Sequence, residues 1–425
     1  MRAQRNNIFF GVDLSLVLLY LFLVIFGWMN IYAASITDEQ YQIFDFGTRY
    51  GKQLLWIGMS FVLIVLLLFI EAKIFERFAS IIYLLSLVSL AGLFVFGKQI
   101  NGATSWYDFG GFSIQPSEFA KFATVLALAR LLNDKQYDLK LLKNQIKAFV
   151  IIFLPAVFIT LQPDPGSALI YTAFFFVLYR EGLPIYYIAI GAFAIALFIL
   201  TLAFGFNSVL ICTYGIFILF VLYIQHIRKI SLKFHWLKIM SLFAICGFFI
   251  FSVDYVYNSI FEQRHRDRFD ILLGKETDTR GVGYNTNQSV LTIKSGGFTG
   301  KGYLQGDRTQ GDFVPEQHTD YIFSTIGEEW GFLGSAIVVV VFTFFVLRII
   351  QLAERQKTTF SRVYGYGIAA IFFFHYLINI GMVIGIFPTI GIPLPFFSYG
   401  GSGLWGFTIL LFIFIKLDAS KSYEL

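Results

Sequence analysis

Apolar stretches long enough to cross a membrane recur along this chain from end to end, separated by short polar or charged segments. A helix needs about 20 apolar residues to cross a hydrocarbon layer ~30 Å thick, and helices satisfy their own backbone amides inside lipid. The pattern predicts spans at roughly 12–32, 54–70, 79–96, 119–132, 148–161, 168–179, 185–204, 209–224, 239–257, 332–349, 364–387 and 404–415. The expected fold is an all-α polytopic membrane protein with about twelve transmembrane helices, forming a single integral membrane domain over residues 1–425.

Charge orders the threading. Arg2 and Arg5, the lysine-rich segment 133–147, Arg180, the basic segment 226–238 (HIRKISLKFHWLK), Arg348, Arg355, Lys416 and Lys421 all fall on one side by this count. The positive-inside rule makes that side, with both termini, cytoplasmic. Between 258 and 320 the apolar signal stops, and this stretch is expected as one long extracytoplasmic loop, an ordered cap rather than a tail. A chain that is 57% hydrophobic and only 14% charged is not a soluble domain, and it offers no basic soluble surface for nucleic acid. Cys212 and Cys246 sit inside separate apolar runs and read as packing, with no disulfide or metal role. No P-loop, zinc, serine-triad or dinucleotide motif is present.

The same count puts the polar segments of unusual composition on the outer face: Arg49, 97–121, Asp164 within QPDPG, the long loop with Arg268 and Lys294, and the turn 388–402. Residues 313–329, FVPEQHTDYIFSTIGEE, lead from that loop into a membrane helix and bring His318, Thr319 and Asp320 together ahead of Glu328 and Glu329. A carboxylate at such a border is costly, because low dielectric disfavours its charge. Two readings stand. Thr319 or Asp320 caps the helix while the glutamates favour its positive end, or Asp320 works on a substrate at the membrane surface. In 97–121, Trp106 and Tyr107 read as interfacial anchors and Pro116 with Glu118 as the first turn of a helix. Glu118 and Lys121, three residues apart, form either a satisfied ion pair or part of a polar cavity. Asp164 serves its turn or joins that cavity. His375 and Asn379, four apart in the eleventh span, read as helix–helix hydrogen-bond partners or as steps of a polar path. A wall of this kind suits an amphiphile with an anionic head: cations hold phosphate, and a carboxylate takes a proton from a hydroxyl.

Four stretches carry a resemblance: NGATSWYDFGGFSIQPSEFAKFA (101–123), QPDPGSALI (162–170), SGGFTGKGYLQGDRTQGDFVPEQHTDYIFSTIGEEWGFLG (295–334) and NIGMVIGIFPTIGIPLPFFSYGGS (379–402). In this order the chain resembles the SEDS family (shape, elongation, division and sporulation), its RodA-type branch rather than the FtsW type. The resemblance implies a peptidoglycan glycosyltransferase that polymerises lipid II into glycan strands during elongation and shape maintenance, on the outer face of the bacterial cytoplasmic membrane. It assigns Asp320 as the base that deprotonates the acceptor 4-hydroxyl. That oxygen then inverts the donor's anomeric carbon and expels undecaprenyl pyrophosphate. Arg49, Lys121 and Arg268 are candidates to stabilise the leaving group, and Glu118, Trp106, Asp164, His318 and Lys294 complete the expected substrate-binding set. A divalent cation such as Mg or Mn is a further candidate, with ligands unknown. Implied partners are lipid II and the nascent strand, a class B penicillin-binding protein that supplies transpeptidation, and the elongation machinery.

Two departures stand out. The family has about ten spans, whereas 185–257 holds three runs where one is expected, so a two-helix insertion is read there. Many relatives carry arginine before the loop tryptophan, and this chain has Ser105. The competing readings are a lipid II flippase and a non-catalytic scaffold for the penicillin-binding protein.

Overall fold

The computed structural model describes residues 11–36, 44–100, 102–226, 236–261, 263–275 and 283–421. Arg2, Arg5 and residues 227–235 of the basic segment lie outside these. The chain folds as two compact units, Met1–Pro184 with Asn285–Leu425, and Ile185–Tyr284.

In the first unit, helices α1 (Leu14–Ala33), α2 (Arg49–Phe69) and α3 (Ala72–Phe96) lead to a small antiparallel sheet of β1 (Lys98–Ile100), β2 (Ala103–Asp108) and β3 (Ser113–Ile114). Helices α4 (Pro116–Leu132), α5 (Leu142–Leu161), α6 (Pro165–Leu169) and α7 (Phe174–Arg180) follow. The second unit holds α8 (Tyr186–Phe204), α9 (Phe206–His226), α10 (Trp236–Tyr255) and α11 (Gln263–Leu272), with Leu197, Val209 and Ile250 at its core. The chain continues with α12 (Tyr284–Ser295), α13 (Asp307–Gln310), α14 (Ile322–Glu329), α15 (Gly331–Glu354), α16 (Thr359–Val383) and α17 (Gly401–Ser420).

Ten helices among the described residues are long and apolar enough to cross a membrane: α1–α3, α5, α8–α10 and α15–α17. The other two segments read as spans are shorter. Helix α4 has 17 residues, and 165–180 divides into α6, a 3-10 turn and α7. Helices α4, α16 and α17 form the centre of the first unit, with most of α4 buried from its first residue, Pro116, onward. Small residues allow that closeness. A Cβ on Gly367 of α16 would lie 2.5 Å from Val125 of α4. At one end of α1, Asp13 caps the helix through Leu16 N at 3.0 Å and also pairs with Arg348 of α15 at 2.5 Å.

Three features differ from the sequence reading. The sheet is unexpected in an all-α chain, since strands this short carry almost no periodic signal, although Thr104, Trp106 and Tyr107 are strand-favouring residues. Its Tyr107 hydroxyl donates to Ser89 O of α3 at 2.7 Å. The long segment expected as an ordered cap contains short helices that the reading did not place, α11, α12 and α13. Helix α14 also stops before α15 begins. Gly331 (φ +65°) turns the chain there, and a Cβ at that position would lie 2.2 Å from Gly300 N. The first amides of α15 are satisfied by loop carbonyls, Phe332 N to Gly297 O at 3.0 Å and Leu333 N to Phe298 O at 3.1 Å. The N-cap of α14 is Tyr321, with no side-chain cap. The Thr319 hydroxyl does not cap the helix and donates instead to Glu316 O at 3.0 Å.

Candidate functional site

The segment 388–402 is where the sequence-predicted stretches meet. A Cβ on Gly27 of α1 would strike Phe396 O, and one on Gly166 of α6 would strike Ile390 O, each at 2.7 Å. Gly400 N donates to Gln53 of α2 at 3.1 Å, and Gln115 N, just before α4, donates to the Ser402 hydroxyl at 3.1 Å. Phe396 adopts φ +67°, a conformation that costs a non-glycine residue ~1–2 kcal/mol. Its ring is held among Tyr20, Phe345, Phe372 and Phe407, with centroids 5.1–5.9 Å apart. Packing overrides the local preference.

This segment fixes the backbone of His318-Thr319-Asp320 one carbonyl at a time. Tyr399 N donates to His318 O at 2.9 Å, and the Ser398 hydroxyl donates to Thr319 O at 2.7 Å. Asn379 of α16 donates to Asp320 O at 2.8 Å and to Ile392 O at 2.7 Å. Gly391 (φ +77°) leaves room beside the half-buried Asp320, since a Cβ there would lie 3.2 Å from Asp320 Oδ2. The His318 ring packs edge-on against Tyr399 at 5.6 Å. Burial and the Arg49 charge push its imidazole below the ordinary value, with Glu316 and Asp312 partly offsetting, so it is neutral at pH 7. Arg49 itself is exposed at the start of α2.

A second constellation lies inside the helices. Lys121 donates to both oxygens of Glu118 at 2.8 Å and contacts His375 Nε2 at 2.9 Å, all three residues being no more than 2% exposed. An ammonium has no lone pair to offer, so Nε2 accepts, and the ring proton on Nδ1 goes to Pro393 O at 3.2 Å. His375 and Asn379, one turn apart on α16, thus hold the successive carbonyls of Pro393 and Ile392. His375 joins α16 to α4 through Lys121, and both His375 and Asn379 anchor the 388–402 segment. Asp164 caps α6 through Ser167 N at 3.1 Å and accepts from Gln115 Nε2 at 3.2 Å.

The remaining expected residues are more dispersed. Trp106 is half-buried on β2, and its neighbour Ser105 points inward with a buried hydroxyl that lacks a hydrogen-bond partner. Lys294 is exposed near the end of α12. Arg268 lies on α11 of the second unit, in a different unit from Asp320. Among the described residues no three His, Cys, Asp or Glu side chains come together as metal ligands.

Glu328 and Glu329 have separate roles. Glu328 accepts from Ser295, Lys301 and the Thr309 hydroxyl, and from the amides of Arg308 and Thr309, at 2.7–3.1 Å. Burial opposes its ionisation, but Lys301, Thr309 and the two amides prevail and hold the carboxyl below its ordinary value. It pins 295–309 over α14. The Glu329 carboxyl is buried, and no side chain hydrogen-bonds it at ordinary geometry; only the Leu304 and Gly306 amides approach it. Burial, with the Glu328 charge beside it, pushes its carboxyl up to about 7 against the partial offset of the Leu304 and Gly306 amides.

Comparison with known proteins adds three findings. The "Cell cycle protein" family profile for FtsW, RodA and SpoVE matches residues 13–216 and 188–423. The chain is 32% identical to the peptidoglycan glycosyltransferase RodA of Treponema pallidum (strain Nichols), over 96% of this chain and 98% of that one. It is also 32% identical to the peptidoglycan glycosyltransferase MrdB of Escherichia coli (strain K12), over 92% and 90%. A solved chain from "Structural coordination of polymerization and crosslinking by a peptidoglycan synthase complex" has the same fold, with a TM-score of 0.71 at 24% identity, covering 97% of this chain and 99% of that one.

Proposed function

The chain belongs to the FtsW/RodA/SpoVE family and is RodA-like, and from that premise we propose how it acts as a peptidoglycan glycosyltransferase. The substrate is lipid II, bound at the bacterial cytoplasmic membrane with the 388–402 segment facing outward. The chain crosses the membrane about twelve times, α4 and the 165–180 segment adding two short spans to the ten longer ones, and two of the helices in 185–257 are an insertion.

Asp320 is the general base. Its carboxylate takes the proton of the acceptor 4-hydroxyl as that oxygen bonds to the donor's anomeric carbon. The bond from that carbon to the diphosphate breaks on the opposite face, with inversion, and undecaprenyl pyrophosphate leaves. Arg49, close enough to act on His318, is placed to attract the diphosphate, and a neutral His318 does not compete for the base's charge. Glu118, Lys121, His375 and Asn379 are positioning residues in this account. Their partners are one another and the carbonyls of the site segment.

The observation that carries this reading is the fixing of three successive carbonyls, 318 to 320, which sets one carboxylate beside Gly391. Lys121, His375 and Asn379 are committed to internal partners, which favours an enzyme's scaffold over the polar conduit a flippase needs. A class B penicillin-binding protein and the elongation machinery are the expected partners. The test is polymerisation of lipid II by the purified chain with that partner. Glycan strands and released undecaprenyl pyrophosphate are expected, whereas translocation of lipid II without polymer would favour the flippase.

A further inference from the structure

The place where Gly391 passes beside Asp320 is bracketed by two bridges, each joining the same two stretches of chain. On one side Asn379 holds Asp320 O at 2.8 Å and Ile392 O at 2.7 Å. On the other side three hydroxyls meet. Tyr321 and Thr389 lie 2.8 Å apart, Thr389 and Thr286 3.0 Å, and Thr286 and Tyr321 3.3 Å. Each hydroxyl carries one proton, so the donors match the contacts and the ring closes in either sense. One bridge thus ties residue 320 to 392 and the other ties 321 to 389, with Gly391 between them.

The third hydroxyl comes from outside both stretches. Thr286 lies in the first turn of α12, and the buried Ser289 of the same helix donates to Val383 O, at the end of α16, at 2.8 Å. Farther along α12, Thr292 accepts from Arg308 Nε at 3.0 Å. A Cβ on Gly327 of α14 would lie 2.7 Å from the Ile293 side chain, so the helix is closely packed as well. Thr286 is therefore held in place by its own helix, and both bridges trace back to α16. Tyr321 is 1% exposed, where hydrogen bonds are electrostatically stronger than in water. Valine and phenylalanine would fill the same space with no polar atom to satisfy, so packing alone does not account for three hydroxyls here.

We propose that Tyr321, Thr389 and Thr286 are positioning residues for the reaction, with Asp320 acting as the base assigned above. Their ring sets the separation of Gly391 from Asp320 and so aims the carboxylate at the acceptor hydroxyl. A base must lie within hydrogen-bond reach of the proton it takes, and a misplacement of ~1 Å costs up to about a hundredfold in rate. With the ring broken, Asn379 still holds both carbonyls. The carboxylate then loses its aim but keeps its place, and a smaller loss of about tenfold is expected.

Single-turnover polymerisation of lipid II by the full chain, with the proposed class B penicillin-binding protein partner, tests this. The rate constant reports the aim of the base, whereas the amplitude reports the fraction of folded, loaded protein. Thr389→Val keeps the shape of the side chain and should lower the rate constant about tenfold, with amplitude and lipid II binding within about twofold of wild type. Thr389→Ser keeps the hydroxyl and should stay within about twofold in rate. Tyr321→Phe should fall as far as Thr389→Val, and the two together no further, since either one breaks the link between 321 and 389. A loss of amplitude at an unchanged rate constant, a serine variant as slow as the valine one, or losses that multiply in the double variant would each overturn the proposal. Asp320→Asn is measured alongside. If it is slow while Thr389→Val and Tyr321→Phe match wild type, the ring proposal fails alone. If it polymerises at the wild-type rate, the base assignment fails and the proposal falls with it.

Discussion

Replacing Lys121 with methionine strands a carboxylate in the protein interior. Glu118 is 2% exposed, and Lys121 bonds both of its oxygens at 2.8 Å. Removing one partner of a buried ion pair costs ~3–5 kcal/mol, because the charge left behind has neither water nor a counterion. At 1.4 kcal/mol per factor of ten, that is a loss of roughly a hundred- to several-thousand-fold in the folded-to-unfolded ratio. Removing both charges is far cheaper, so Glu118→Gln with Lys121→Met should recover most of the loss. The assay is reversible unfolding of the purified chain in mixed micelles, run on wild type, both single variants and the double. Activity adds a second readout. Without Lys121, the His375 ring that holds Pro393 O loses its buried partner, so the double variant should fold, bind lipid II and polymerise slowly. A single variant that costs less than ~1 kcal/mol, or a double variant as unstable as the single, would refute the reasoning.

Two further perturbations probe the same account. Gly391→Ala adds a Cβ 3.2 Å from Asp320 Oδ2 at φ +77°, so it should cost ~1–2 kcal/mol and lower the polymerisation rate at saturating lipid II more than it weakens binding. A rate within about twofold of wild type would show that the glycine does not shape the site. Glu329, with its carboxyl raised from 4.5 to about 7, makes stability depend on pH. The folded protein keeps this proton while the unfolded chain releases it, so the stabilisation is fully present below 4.5, declines as pH rises, and is gone above about 7. The shift amounts to ~3 kcal/mol, and Glu329→Gln should flatten the slope between pH 5 and 8 in unfolding measurements. A slope unchanged in the variant would assign the pH dependence to another group.

How much of this was legible in the chain varies by element. The ten long spans are read directly, because runs of apolar residues the length of a bilayer have few other uses. Pro116 and Glu118 in the first turn of α4 also follow from local chemistry. The β1–β3 sheet does not, since β1 and β3 have three and two residues, and the six of β2 show no clean alternation of buried and exposed positions. The break at Gly331 depends on Gly300 crossing from elsewhere. His375 and Asn379 were visible as paired polar residues in an apolar helix, yet their acceptors, Pro393 and Ile392, are known only once the following segment folds back. The proximity of HTD to that segment is likewise tertiary: Ser398 and Thr319 are 79 residues apart in sequence.

Asp320 remains the centre of the account. The most direct measurement is the single-turnover rate of lipid II polymerisation by wild type and Asp320→Asn, each with the proposed class B penicillin-binding protein partner and with lipid II binding measured in parallel. Asparagine keeps the size of the side chain and removes its basicity. The account predicts a rate lower by at least about a hundredfold with binding and stability near wild type, as loss of a general base requires. A variant that polymerises at a rate close to wild type would contradict it.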